Sequence, residues 1–209
     1  MNNASGEDPD EGELVIREIT PELVGDYLHF FDHVAFTDNP GWGSCYCYCY
    51  LGAFGGEEWN ARTAEQNRSD VNAVICRGEM KGLLAYLGGK VVAWCHAAPR
   101  LCLPAIANDP DLPSGNLEVT GSIVCFLVAP EYRRRGIART LLSGACDYFA
   151  RLGMHYVEAY PRSGETRSTA NYHGPEEMYR AAGFSVAGEF PGGMVVRKRL
   201  EAEPPQATT

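Results

Sequence analysis

The chain has 209 residues, which suits one domain with a substantial core, and its 45% apolar and 22% charged content is ordinary for a globular protein. A formal net charge of -9 argues against nucleic acid as a partner, since phosphate backbones need a basic face, and an acidic surface favours a cationic partner such as an amine. With no apolar run of bilayer length and an acidic N-terminus, neither a membrane anchor nor a signal peptide is expected; the eight cysteines, several in core-like segments, read as free thiols of a reducing, cytoplasmic compartment.

Residues 1–13 are polar and acidic and read as a disordered tail, as do 201–209; residues 14–200 are expected to form a single domain. Leu14 to Ile19 reads as a strand. Thr20-Pro21-Glu22 then offers an N-cap, a proline in the first helical turn and an acid near the dipole, and Leu23, Val24, Tyr27, Leu28 and Phe31 continue at helical spacing towards Phe36.

Asn39-Pro40-Gly41-Trp42-Gly43 precedes Cys45-Tyr46-Cys47-Tyr48-Cys49-Tyr50. Strict alternation predicts an extended chain with thiols on one side and phenols on the other. No CxxC or nearby histidine gives the usual zinc spacing, and alternate positions on one strand surround an ion poorly, so no metal is expected. Glu57 to Met80 reads as one helix. Leu83–Leu87 and Lys90–Ala98 flank Gly88-Gly89 as a hairpin, and Leu101–Asn116, with three prolines, reads as an irregular connection. Beyond Gly153, Tyr156–Tyr160 is a strand, Arg162–Gly174 a polar loop, Pro175 the start of a short helix ending at Gly183, and Phe184–Glu189 with Met194–Arg199 a closing hairpin.

The centre of the chain is Gly121 to Gly153. Ile123–Val128 is an unbroken apolar run that suits a strand buried on both faces. Ala138, Leu141, Leu142, Ala145, Phe149 and Leu152 follow at spacings of three and four, one face of an amphipathic helix. Between them lies Arg133-Arg134-Arg135-Gly136-Ile137-Ala138. A helix start leaves backbone N–H groups unpaired and attracts anions, Gly136 lets a phosphate approach the main chain, and three arginines add positive charge. A pyrophosphate matches such a cradle.

Arg133-x-x-Gly136-x-Ala138, after a strand ending Val128-Ala129-Pro130-Glu131-Tyr132, resembles the acyl-CoA loop of the GNAT acetyltransferase superfamily. Tyr179-Arg180-Ala181-Ala182-Gly183-Phe184 resembles the Tyr-x-x-x-Gly-Phe segment of that family. The element order β-α-α-β-β-β-α-β-α-β-β is also similar. The resemblance implies an α/β (α+β) fold with a mixed, mostly antiparallel sheet of about seven strands and about four helices.

It also implies an acetyl-CoA-dependent N-acetyltransferase in which the amine of a small molecule attacks the thioester directly. A peptide or lysine acceptor and a non-catalytic acyl-CoA module are the alternatives, and a homodimer is left open. Leu127 and Val128 would pair with the pantetheine arm, Arg133, Arg134, Arg135, Gly136, Ile137 and Ala138 would hold the pyrophosphate, and Asn171 would contact the cofactor more loosely. Tyr179 falls where relatives protonate the departing thiolate. Relatives often carry a glutamate base on the central strand, but this chain has Cys125 there. His96, Glu118 and Glu158 are the candidates instead, His96 foremost. The segment after the first helix commonly covers the acceptor in such folds, so Trp42, Tyr46 and Tyr48 either wall that pocket or pack into the core.

Overall fold

The computed structural model describes residues 12–163 and 172–201. Its strands are β1 (Val15–Glu18), β2 (Leu83–Leu87), β3 (Lys90–Pro99), β4 (Thr120–Val128), β5 (Tyr156–Ala159), β6 (Ser185–Phe190) and β7 (Gly193–Arg199). They form one seven-stranded sheet in the order β1-β2-β3-β4-β5-β7-β6. Only β4 and β5 run parallel; the other neighbours are antiparallel. This is the mixed sheet that the sequence predicted.

Among the described residues the α-helices number six rather than about four: α1 (Val24–His29), α2 (Gly56–Asn60), α3 (Ala64–Cys76), α4 (Pro104–Ala107), α5 (Ile137–Arg151) and α6 (Glu176–Ala181). Two of them, α2 and α4, are little more than single turns of five and four residues. The first helix begins as a 3-10 turn at Pro21–Leu23 and continues past α1 as a π-turn over Phe30–Val34.

Helices cover both faces of the sheet, which is why β2, β3 and β4 are apolar without a polar side. Leu83 and Ala85 of β2 belong to the cluster built with Leu141, Ala145 and Phe149 of α5. Leu84 and Tyr86, one residue out of phase, belong to the opposite cluster with Tyr27, Phe30, Val71 and Ile75. Each such aliphatic side chain contributes about 1.5–3 kcal/mol through burial. Gly121 sets how closely α5 lies on β4, because a Cβ there would sit 2.4 Å from the Phe149 ring.

Three segments depart from the sequence reading. Glu57–Met80 is two helices, broken because Thr63 and Gln66 form a capping box that starts α3 afresh. The proline-rich connection carries α4, with Pro104 in its first turn. The alternating Cys-Tyr run is not extended: Tyr46 and Cys47 both have left-handed backbones (φ 45° and 49°), and Tyr48–Tyr50 is a 3-10 turn.

The functional end of the sheet is created by a divergence. β4 and β5 pair only from Thr120↔Tyr156 to Ile123↔Ala159, while β4 continues to Val128. Pro161, which has no N–H, follows soon after β5. The freed edge of β4 opens into a cleft, where the Phe126 amide donates to the Tyr172 carbonyl at 2.6 Å.

Candidate active site

The β4 end leads through a 3-10 turn at Pro130–Tyr132 into the arginine run. Arg134 (φ 64°) and Gly136 (φ 85°) are both left-handed, so the chain bends sharply before α5 begins. Gly136 is the N-cap of α5, and no side chain caps that end. A Cβ at Gly136 would meet no atom within 4 Å, so open space lies before the helix's first amides. A 15-residue helix with free space, an uncapped start and adjacent guanidinium groups fits a diphosphate. Arg133 reaches back, with Nε donating to the Val128 carbonyl at 3.1 Å and its terminal nitrogens donating to Asp38. Arg135 lies over the Tyr132 ring, 5.3 Å from its centroid.

A cleft of about 410 Å³ runs from this loop along the free edge of β4. Arg133, Arg134 and Ala138 line its outer end, Phe126, Leu127 and Val128 its inner wall, and Gly174-Pro175 the opposite side. Leu127, Val128, Arg133, Arg134 and Ala138 are thus brought together at one opening, and Gly136 lies between the last two in the chain. Ile137 is buried beneath it in the α5 core. Asn171 lies outside the described residues.

Beyond the cleft lies a chamber of about 260 Å³, sharing Phe36, Trp42, Leu127 and Tyr172 with it. Its remaining wall is formed by Cys45, Cys47, Cys49 and Cys125 together with Tyr50 and Trp59. The left-handed pair Tyr46-Cys47 makes this possible by curling the loop so that all three of its thiols face inward. That turn is held from outside. The Tyr27 hydroxyl donates to the Tyr46 carbonyl (2.7 Å), the Tyr46 hydroxyl to Asp32 (2.7 Å), and the Asn67 amide to the Ser44 carbonyl (2.9 Å).

Trp42 therefore walls both spaces, whereas Tyr46 and Tyr48 line neither. Tyr46 stacks on Phe31 in the core and Tyr48 packs on Phe54 beneath Arg62. Cys125, Trp59, Tyr50 and Tyr172 were not predicted here. The only sequence signal for Cys125 was its place on the central strand. Among the described residues, no three histidine, cysteine or acidic side chains are placed to hold a metal ion.

The chamber thiols hold their protons. Cys45 is pushed well up by its hydrogen bond with Cys47 and by burial, Cys47 by burial, and Cys49 by burial to about 12. At Cys125 the hydrogen bond from Cys47 pulls the pKa down, but burial and the neighbouring thiols leave it raised.

The acid–base candidates lie elsewhere. His96 is fully buried between the Tyr50 and Trp94 rings, both ring nitrogens lack partners, and burial pushes its pKa down to about 3. Glu158 is fully buried, accepting from Arg100, Tyr160 and Arg197. Glu118 lies just before β4, at the far end of the strand from the cleft. Tyr179 is fully buried, its hydroxyl donating to the His173 carbonyl, and burial pushes its pKa well up. That hydroxyl nevertheless lies against Gly174 of the cleft wall, 3.1 Å from where a Cβ would stand there.

The family model described as the acetyltransferase (GNAT) family matches residues 47–184, spanning the cradle, the free edge of β4 and the Tyr179 helix. The chain belongs to the GNAT acetyltransferase family. As such it is an N-acetyltransferase, an acyltransferase. Its fold is similar to the PaiA N-acetyltransferase of Thermoplasma acidophilum, solved with coenzyme A (TM-score 0.53, 16% identity, 90% of this chain and 99% of that one). It is also similar to an N-acetyltransferase from Staphylococcus aureus Mu50 (0.51, 13%, 91% and 99%). A ribosomal-protein-alanine N-acetyltransferase from Brucella melitensis is comparable (0.50, 17%, 89% and 99%). No curated protein matches the chain's sequence. Among the described residues of this acetyltransferase, no helix is long and apolar enough to cross a membrane.

Proposed function

We propose that this acetyltransferase moves the acetyl group of acetyl-CoA onto the primary amine of a small molecule that enters the thiol-lined chamber. The observation that carries the reading is the wall shared by the two spaces. Leu127, Trp42 and Tyr172 bound both the cleft that begins at the phosphate cradle and the half-open chamber beside it. A donor lying along β4 and an acceptor in the chamber would meet at that wall. At about 260 Å³ the chamber is smaller than most drug-sized sites, which favours a small acceptor over a peptide laid along an open groove.

Each side chain then has a physical task. Acetyl-CoA, when bound, supplies an acyl group activated as a thioester. The amides opening α5, with Arg133 and Arg134, would hold its diphosphate. The main chain of Leu127 and Val128, on the edge that β5 leaves free, would align the pantetheine arm as an added strand. Trp42 and the chamber walls exclude water and fix the acceptor's approach. The Phe126 amide points into the same opening and is the donor placed to polarise a carbonyl once Tyr172 yields it. Burial pushes the Tyr179 pKa well up, and its hydroxyl is committed to the His173 carbonyl. Its part is to hold His173-Gly174-Pro175 against the cleft, as a positioning residue.

Gly136→Val tests the cradle. Its left-handed φ strains any β-branched residue, while the empty space around it spares the fold a clash. The expected result is folded protein whose acetyl-CoA affinity by calorimetry falls more than about tenfold, since a side chain would stand where backbone amides must meet phosphate. Unchanged affinity would place the diphosphate elsewhere.

A further inference from the structure

Resting on the acetyltransferase reading above, we infer that the acceptor is a weakly basic aromatic amine, an arylamine whose ring lies among the chamber's thiols and aromatic faces, rather than an alkyl amine. Two independent features of the same chamber lead there.

The first is what the walls can recognise. Among the described residues, none of the chamber-lining side chains is charged. An alkylammonium ion would have to shed its water with no carboxylate to receive it. A flat ring instead meets the Trp42, Trp59 and Tyr172 side chains, which offer faces and edges for stacking. Four sulfur atoms surround the same space, and sulfur is polarisable and attracted to aromatic rings.

The second is what the walls can do to a proton. An alkyl amine with a pKa of about 10 arrives protonated and must lose a proton before it attacks. Among the described residues, none that lines the chamber is placed to take it. The thiols are protonated and His96 is sealed behind Tyr50. Asp38, the one carboxylate among the residues described as lining the adjoining cleft, is engaged by Arg133. An arylamine, with its nitrogen lone pair conjugated to the ring, is already neutral at pH 7 and needs no base to begin. Its nitrogen forms the bond to the acyl carbon as the carbon–sulfur bond breaks, and the proton leaving nitrogen ends on the coenzyme thiol. The protein has only to hold the ring so that the nitrogen faces the wall at Leu127.

The test compares matched amines on the full chain. With acetyl-CoA, thiol release is followed for 4-methylaniline, benzylamine and a tripeptide with a free N-terminus, and binding of the first two is measured by calorimetry with coenzyme A present. The inference expects kcat/KM for 4-methylaniline at least about tenfold above the others at pH 7, nearly flat between about pH 6.5 and about pH 8.5, and measurable binding of 4-methylaniline alone. Preference for benzylamine or the peptide, or an arylamine rate that climbs with pH, overturns it while leaving the acetyltransferase standing. Binding of acetyl-CoA without transfer to 4-methylaniline also overturns it. Failure to bind acetyl-CoA at all would instead remove the reading on which it rests.

Discussion

Arg133 and Asp38 tie the arginine-rich loop before α5 to the loop that carries Trp42. The guanidinium sits between the Val128 carbonyl and the Asp38 carboxylate, which accepts from both terminal nitrogens. The pair is half-exposed, with side-chain exposures of 30% and 37%, so water screens it and its worth is about 0.5–1 kcal/mol. The same hydrogen bond, outweighing the opposite effect of burial, holds the Asp38 carboxyl below its usual range.

A phosphate arriving at Arg133 must compete with Asp38. Asp38→Asn is therefore expected to tighten acetyl-CoA binding about two- to fivefold in calorimetry at low salt. Arg133→Gln should weaken it between about tenfold and about a hundredfold, the worth of a charge-assisted hydrogen bond. Weaker binding in the Asp38 variant would show that the carboxylate supports the cradle rather than competing for it.

Tyr179→Phe separates positioning from proton transfer. Losing the hydroxyl leaves the buried His173 carbonyl unpaired, at about 1–3 kcal/mol in chemical denaturation. The KM for acetyl-CoA should rise, while kcat falls less than about tenfold. A fall of about a hundredfold or more in kcat at unchanged KM would assign the hydroxyl to the departing thiolate after all.

Glu158 is a structural residue. Arg100 and Arg197 satisfy it from two sides, and Arg100 is as buried as the carboxylate itself. Glu158→Gln leaves Arg100 buried beside a neutral partner, so thermal unfolding should report a loss of about 3–5 kcal/mol. Activity per folded molecule should persist. Its abolition would return Glu158 to the list of bases.

Burial lowers the His96 pKa from 6.5 to about 3, and that of His173, by burial and then the Arg162 charge, to about 4. As pH falls, the unfolded chain therefore binds these protons first. Stability is fully present above about pH 6.5 and is lost on the way down to about pH 4 and then about pH 3, each histidine adding a slope of up to about 1.4 kcal/mol per pH unit. His96→Leu removes one share of that slope. Because both its ring nitrogens are buried without partners, stability at pH 7 should hold or rise. An acid limb as steep as that of the parent protein would show that His96 is hydrated in solution.

Sequence alone determined the parts whose logic is local. A buried apolar strand, an arginine-rich turn through Gly136 and an amphipathic helix occur together within residues 121–153, so this strand–turn–helix unit was legible from spacing. Tyr179 and the closing hairpin were placed by the same short-range signals.

The thiol-lined chamber was decided by the tertiary structure. Alternation from Cys45 to Tyr50 reports two opposite faces only if the backbone is extended, and two left-handed non-glycine residues break that condition. What holds them there is distant in sequence: Tyr27 on α1 and Asn67 on α3 grip the loop through its carbonyls. Cys125 and Trp59 meet the three thiols for the same reason. A side chain's direction in an irregular loop is set by the partners that satisfy its backbone, and those partners are fixed only once the helices pack on the sheet.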